Sequence, residues 1–470
     1  MTSSLSLNAT DTHVLDVDPL IDDPRTRIVV CCGSGGVGKT TTAAALGLRA
    51  AERGRKVVVL TIDPARRLAQ SMGIDSLDNT PRRVKGIATI EGAEGGELHA
   101  MMLDMKRTFD EIVEAHADGQ RAEAILGNPF YQSLSAGFAG TQEYMAMEKL
   151  GQLRAQDEWD LIVVDTPPSR SALDFLDAPK RLGSFLDGKL IRVLMAPAKV
   201  GGRAGMKFLN VGMSMMTGAL GKLLGGQLLR DVQTFVAAMD TMFGGFRTRA
   251  DATYKLLQAP GTAFLVVAAP ERDALREAAY FVERLAAEDM PLAGLVLNRV
   301  HGSGAAQLSA ERALAAAENL DERGIVDQGG GNVELRTSPE AGSPAPARDT
   351  PDGHAQTLDK TPHSAPATTP APNSPATSTP ADATTDDAPA DHATTDRTAT
   401  DQLTAGLLRL HAERMQLLAR EQRTRDRFAA LHPEVAVTEV GALPGDVHDL
   451  AGLRTIGDRL AAGANPAGAA

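Results

Sequence analysis

The chain has 470 residues, 43% apolar and only 4% aromatic, with a formal net charge of −12. Ala, Leu and Val dominate the apolar share, which suits helices on a parallel sheet better than an all-β sandwich, so α/β is the expected class. Between Asp327 and Asp401 twelve acids face four bases, so most of the imbalance lies there and no basic face remains to recruit nucleic acid.

Residues 1–24 are polar and acidic and lack the basic and apolar regions of a signal peptide. They are expected to form a disordered tail on a cytoplasmic protein. No run of about 18 or more apolar residues offers a membrane span. The two cysteines, Cys31 and Cys32, are adjacent in a strand-like run, where neighbours point to opposite faces and pairing would be strained. Reduced core thiols are expected.

Short β-branched runs recur at Arg27–Cys32, Lys56–Ile62, Glu97–Leu103, Asp160–Asp165, Thr262–Ala268 and Leu292–Asn298, with helical stretches between them. This alternation predicts βαβ units, whose strand ends line one edge of an open sheet where ligands bind. The first run leads into Gly33-Ser-Gly-Gly-Val-Gly-Lys39-Thr40 and an alanine-rich helix closed by Gly54. At that spacing the backbone amides of Gly33, Gly35, Gly36, Val37 and Gly38 curl around a β-phosphate, and the helix N-terminus adds its positive dipole end. Lys39 reaches the β- and γ-phosphates, the Thr40 hydroxyl faces Mg²⁺, and Thr41 lies near the α-phosphate. The fold class is therefore a P-loop NTPase with a mostly parallel sheet flanked by helices, and its ligand is ATP with Mg²⁺.

Two acids follow at strand ends. Asp63 closes the second run and precedes Pro64; it orients or deprotonates the attacking water, or else caps the turn. Asp165 closes the apolar run Asp160-Leu-Ile-Val-Val-Asp, an arrangement that holds Mg²⁺ through water, a helix cap being the alternative. Lys39 and Asp63 are the catalytic candidates; Thr40 and Asp165 are the metal candidates.

Helical insertions are expected at about 105–150 and 180–258, and twelve of the sixteen methionines lie between Met101 and Met242. Such methionines either fill irregular core gaps or line an adaptable apolar groove in a Met-rich subdomain. The core domain spans 25–326. Residues 327–401 hold eleven prolines and no aromatic residue, and are expected to be a disordered insert. Beyond them, 402–462 supply a charged helix (Gln402–Leu431), a strand (Val435–Val440) and a short helix that complete the ATPase domain, before a tail at 463–470.

Taken together, Gly-x-Gly-Gly-Val-Gly-Lys-Thr-Thr-Thr, Thr61-Ile-Asp-Pro-Ala, Asp165-Thr-Pro-Pro and Asn298 at a strand end resemble the anion-transporting ATPase family. That family includes the arsenite pump ATPase and the ATPase that delivers tail-anchored membrane proteins. The runs Leu98-His-Ala-Met-Met-Leu-Asp and Gly140-Thr-Gln-Glu-Tyr-Met-Ala-Met-Glu-Lys-Leu resemble its actinobacterial branch. The resemblance implies that Asp63 is the switch I carboxylate, that Asp165 begins switch II, that Asn298 reads the adenine edge, and that the loop carrying Pro444 and Asp446 flanks the base. It implies ATP hydrolysis in a dimer that opens and closes with the nucleotide, coupled to a hydrophobic client or membrane protein. A nucleotide-binding scaffold with little turnover, or a partitioning ATPase, are the alternatives.

The chain departs from the family in places. The family's second lysine, which reaches the partner subunit's phosphates, is here Ser34. A cation acting across a dimer can be worth on the order of 10³ to 10⁵ in rate. Either a paralogue carrying that lysine completes a heterodimer, or Arg66, Arg67 or Arg170 substitutes from within. No Cys-x-x-Cys and no cysteine triad occurs, and switch II continues Pro168-Ser-Arg-Ser.

Overall fold

The computed structural model describes residues 14–63, 67–88, 95–129, 131–132, 141–167, 245, 248–328 and 390–463. They divide into two units, Met1–Gln307 with Arg414–Ala470, and Leu308–Glu413. The first holds an eight-stranded sheet of β1 (Ile28–Cys32), β2 (Lys56–Thr61), β3 (Arg82–Arg83), β4 (Glu97–Met102), β5 (Leu161–Asp165), β6 (Thr262–Ala268), β7 (Leu292–Val300) and β8 (Val437–Gly441). The order is β3-β4-β2-β5-β1-β6-β7-β8, and every pairing is parallel except the short antiparallel edge β3–β4. This is the α/β fold of a P-loop NTPase. The central strands β1, β5 and β6 are buried along their whole length, which is why they read as unbroken apolar runs and not as alternating ones.

Successive residues of β1 serve two cores. Ile28, Val30 and Cys32 join a cluster with Phe109, Tyr144, Met145, Met147 and Phe281, while Val29 and Cys31 join the alanines of the helix Lys39–Glu52 and Leu453, Ile456 and Leu460. The two cysteines are therefore buried free thiols on opposite faces of the sheet. Strand β8 pairs with β7, so the C-terminal segment completes the sheet from the far end of the chain. Helices Met105–His116, Gly119–Leu126 and Thr141–Ala155 lie between β4 and β5. Met101 on β4 and Met145 and Met147 on the last of these helices are fully buried and fill core space. The methionines from Met195 to Met242, and with them most of the expected 180–258 insertion, lie outside the described residues; 248–258 is helical.

Two boundaries differ from expectation. Residues 14–24 are not a disordered tail: Val14 bridges Val437, helix Val17–Asp22 follows, and Leu15, Val17 and Ile21 are buried. Val17 and Ile21, four residues apart, share one helix face within an otherwise polar segment, and charge secures it. Asp18 accepts from Arg49 Nε at 2.5 Å, Asp22 pairs with Arg53, and the buried guanidinium of Arg55 donates to the carbonyls of Ile21, Thr26 and Asp160. The long C-terminal helix also begins at Ala390, inside the expected insert; Pro389 is the last proline before it, so nothing downstream interrupts the helical ladder. Residues 329–389 of that insert lie outside the described residues.

In the second unit the helices Ala310–Gln328 and the first part of Ala390–Leu431 bury Ala313, Ala317, Ala405 and Ala412. Arg409 pairs with Asp321, and the His411 ring donates to the Leu308 carbonyl at 2.8 Å.

If residues 14–24 are part of the core, Ile21→Ala should lower the unfolding free energy by about 2 to 5 kcal/mol, as for other buried Ile→Ala changes. Urea denaturation of the full chain measures this, and an unchanged midpoint would return the segment to the status of a tail.

Candidate functional site

Strand β1 ends against a turn that only glycine can make at its first position. Gly33 has φ +146°, and a Cβ there would stand 2.1 Å from the Val267 carbonyl oxygen. Gly38 has φ +94°, and its Cβ would meet the Asn298 amide nitrogen at 2.2 Å. Between them Gly35 and Gly36 are exposed and Val37 is buried. The chain then enters the helix Lys39–Glu52, capped by Gly38 with no side chain on its first amides, which leaves those donors and the dipole end for an anion.

Lys39 is buried, and its Nζ donates to the Ser34 carbonyl at 2.8 Å. Burial pulls its pKa below the ordinary lysine value, with the Asp165 carboxylate opposing. Thr40 Oγ1 donates to Asp165 Oδ2 at 2.7 Å and Thr61 Oγ1 donates to the same oxygen at 2.8 Å. The Asp63 amide donates to Thr61 Oγ1 at 3.2 Å. Lys39, Thr40, Asp63 and Asp165 thus meet at the C-terminal ends of β1, β2 and β5. Thr61, which opens the Thr61-Ile-Asp-Pro-Ala run but was given no role from the sequence, is the hydroxyl that joins Asp165 to the Asp63 amide; a polar residue ending a β-branched run was the available signal.

Asp165 is fully buried, and burial raises its pKa to about 6, against the pull of the Thr40 and Thr61 hydroxyls and of Lys39. Its second oxygen, Oδ1, is buried with no hydrogen-bond partner. A carboxylate oxygen and a hydroxyl are the hard donors that magnesium takes, and magnesium usually keeps several waters and phosphate oxygens instead of an all-protein cage. Among the described residues no group of three or more His, Cys, Asp or Glu could hold a metal by itself. The donor set therefore fits magnesium completed by phosphate.

Beside the loop lies a cavity of about 630 Å³ lined by Thr41, Asn298, Arg299, Pro444, Asp446 and others, within the roughly 300–1,000 Å³ usual for small-molecule sites. Asn298 sits where β7 breaks register with β8. Its Nδ2 donates to the Val37 carbonyl at 2.8 Å and its Oδ1 accepts from the Arg299 amide at 2.9 Å, so one end of the amide braces the phosphate loop. His301 and Glu421 also line the cavity; the His301 Nδ1 to Glu421 Oε1 distance is 2.7 Å, a pair that joins β7 to the long helix and had no sequence signal. Of the candidate internal cations, Arg66 and Arg170 lie outside the described residues, and Arg67 is exposed.

Residues 26–321 match the family described as anion-transporting ATPase. The chain is similar to the ATPase GET3 of Podospora anserina, 26% identical over 301 residues that cover 63% of this chain and 80% of that protein. It is similar to the ATPase GET3 of Aspergillus terreus, 25% identical over 322 residues, or 67% of this chain and 86% of that one. To the ATPase GET3 of Malassezia globosa it is 30% identical over 183 residues, 38% of this chain, and it spans about half (51%) of that relative's length.

Burial makes ionised Asp165 costly in the nucleotide-free protein. The folded chain holds that proton up to about pH 6, whereas the unfolded chain loses it in the ordinary carboxylate range, so stability falls as pH rises through this window. Asp165→Asn should raise the unfolding free energy on the order of 1 to 3 kcal/mol at about pH 7.5, and leave it little changed near pH 4. Urea denaturation at the two pH values without nucleotide checks the sign; a variant less stable at both would mean that ionised Asp165 is a net tie.

Proposed function

Because the chain belongs to the anion-transporting ATPase family and is an ATPase, we propose that it binds and hydrolyses Mg-ATP to drive a conformational cycle in a dimer, coupled to an apolar protein client. What supports the reading is the convergence of Lys39, Thr40, Asp63 and Asp165 on one sheet edge beside a nucleotide-sized cavity. The backbone amides of Gly33, Gly35, Gly36, Val37 and Gly38 surround the phosphates, with Lys39 on the β- and γ-phosphates and Thr41 near the α-phosphate. Thr40 and Asp165 would hold magnesium, which supplies charge neutralisation on the β- and γ-phosphates. Asp63 orients the attacking water and accepts its proton. Asn298 keeps a second amide hydrogen and a second lone pair for the base, with Pro444 and Asp446 flanking it.

Lys39→Ala should abolish binding of a fluorescent ATP analogue while the full chain stays folded, because the side chain ends on a loop carbonyl and not in the apolar core. Asp63→Asn should keep binding within about threefold and slow single-turnover hydrolysis by roughly 10² to 10⁴. Parallel loss of binding and turnover in Asp63→Asn would make Asp63 a structural residue.

One observation favours a slower, partner-dependent enzyme. Ser34 stands where the family's second lysine would, its Oγ is buried with no hydrogen-bond partner, and its carbonyl anchors Lys39. A hydroxyl cannot replace a cation at a partner's phosphates, so a homodimer lacks that charge at both sites. A heterodimer with a paralogue carrying the lysine restores it at one. The purified chain should hydrolyse ATP slowly, and Ser34→Lys should raise the rate or shift self-association in analytical ultracentrifugation. Fast turnover by the isolated chain, unaltered by Ser34→Lys, would sink this assembly.

A further inference from the structure

Asp63 follows Ile62, and the main chain of this pair is held from three directions. The Ile62 amide donates to the Asp165 carbonyl at 3.0 Å, which ties it to β5. The Asp63 amide donates to Thr61 Oγ1, within the same segment. The third tie comes from outside the sheet: Gln142 Nε2 donates to the Ile62 carbonyl oxygen at 2.9 Å across 80 residues of sequence.

Gln142 lies in the first turn of the helix Thr141–Ala155, and that helix is firmly placed. Tyr144, Met145, Ala146, Met147, Leu150 and Leu153 are buried. Lys149 Nζ pairs with Glu111 Oε2 at 2.9 Å, reaching the helix Met105–His116. Glu148, whose side chain is only 3% exposed, pairs with Arg249 at 2.7 Å, reaching the helical stretch 248–258. A single side chain therefore connects a buried, ion-paired helical layer to the peptide that sets the direction of Asp63.

We propose that Gln142 is a positioning residue for hydrolysis: its amide fixes the Ile62 carbonyl, hence the placement of Asp63, and makes the helix Thr141–Ala155 the element through which the helical layer governs turnover. The proposal rests on the reading that Asp63 works on the attacking water. Asp63 has two routes to misplacement, rotation of its side chain and tilt of its own peptide. Asp165 holds the Ile62 amide, and Thr61 holds the Asp63 amide and, at 3.4 Å, the Asp63 carbonyl, but neither holds the carbonyl of the peptide that joins Ile62 to Asp63. The carbonyl side is held by Gln142, so a shift of the helix by a fraction of its own pitch tilts the Ile62 carbonyl and carries Asp63 with it. The nucleotide's phosphate and base contacts lie on other segments, so binding does not pass through this bond.

The test uses the full chain. Gln142→Leu removes the donor at similar length and should slow single-turnover hydrolysis by about ten- to a hundredfold, the loss expected from a displacement of up to an ångström near reacting atoms. Affinity for a fluorescent ATP analogue should stay within twofold and the thermal midpoint should hold. Gln142→Glu, nearly isosteric but without a hydrogen to donate above neutral pH, should show the same loss and covers the case in which leucine disturbs folding. In an Asp63→Asn background Gln142→Leu should add nothing, because both changes act on one group.

Wild-type turnover in Gln142→Leu and Gln142→Glu, with Asp63→Asn impaired, would overturn the proposal alone. So would a slowing by the same factor in the Asp63→Asn background. Wild-type turnover in Asp63→Asn would instead remove the reading on which the proposal stands.

Discussion

The carboxylate of Asp165 is the constraint on which the site depends. It ends β5, and its Oδ2 takes hydrogen bonds from Thr40 at the head of the phosphate-loop helix and from Thr61 at the end of β2. Two elements that are near in sequence and a third more than a hundred residues from either are thereby brought to one oxygen. Because the group is fully buried and its pKa is pushed up to about 6, the site holds a carboxylate whose charge the protein alone compensates poorly. A divalent cation is the ordinary way to satisfy such a group, and the hard oxygen donors gathered here fit magnesium.

Around that oxygen the backbone leaves little choice of residue. Gly33 and Gly38 adopt conformations that side chains disfavour, and each also sits where a Cβ would collide, with the Val267 carbonyl in one case and the Asn298 amide in the other. The loop is thus shaped from below by β6 and from the side by β7. Asn298, expected to serve only the base, spends one donor on the loop itself. The β7 end therefore touches both the phosphate loop and the adjoining cavity, whose wall includes His301 and, from the long C-terminal helix, Glu421.

The sheet, the phosphate loop and the two strand-end acids were legible because each rests on local rules. Buried parallel strands need unbroken apolar runs, and a phosphate loop needs glycine at fixed spacing before a lysine. The structured status of residues 14–24 was not legible. Three buried apolar side chains there are outnumbered by acids, and those acids read as a solvated tail until Arg49, Arg53 and Arg55 are seen to pair with them or cap their carbonyls. The start of the long helix at Ala390 was hidden in the same way, since composition averaged over a proline-rich segment conceals its proline-free end.

By itself, then, the sequence determined the local parts: an ATPase phosphate loop and two strand-end carboxylates, candidates for magnesium and for the attacking water, each fixed by residue type at short range. Only the tertiary structure decided how those parts are held. Thr61 joining the acids, Asn298 bracing Val37 and Gln142 gripping the Ile62 carbonyl are contacts between residues as far as 261 apart. No local pattern encodes them, because a hydrogen bond across that separation depends on strand order and register, and those are set by the packing of the whole sheet.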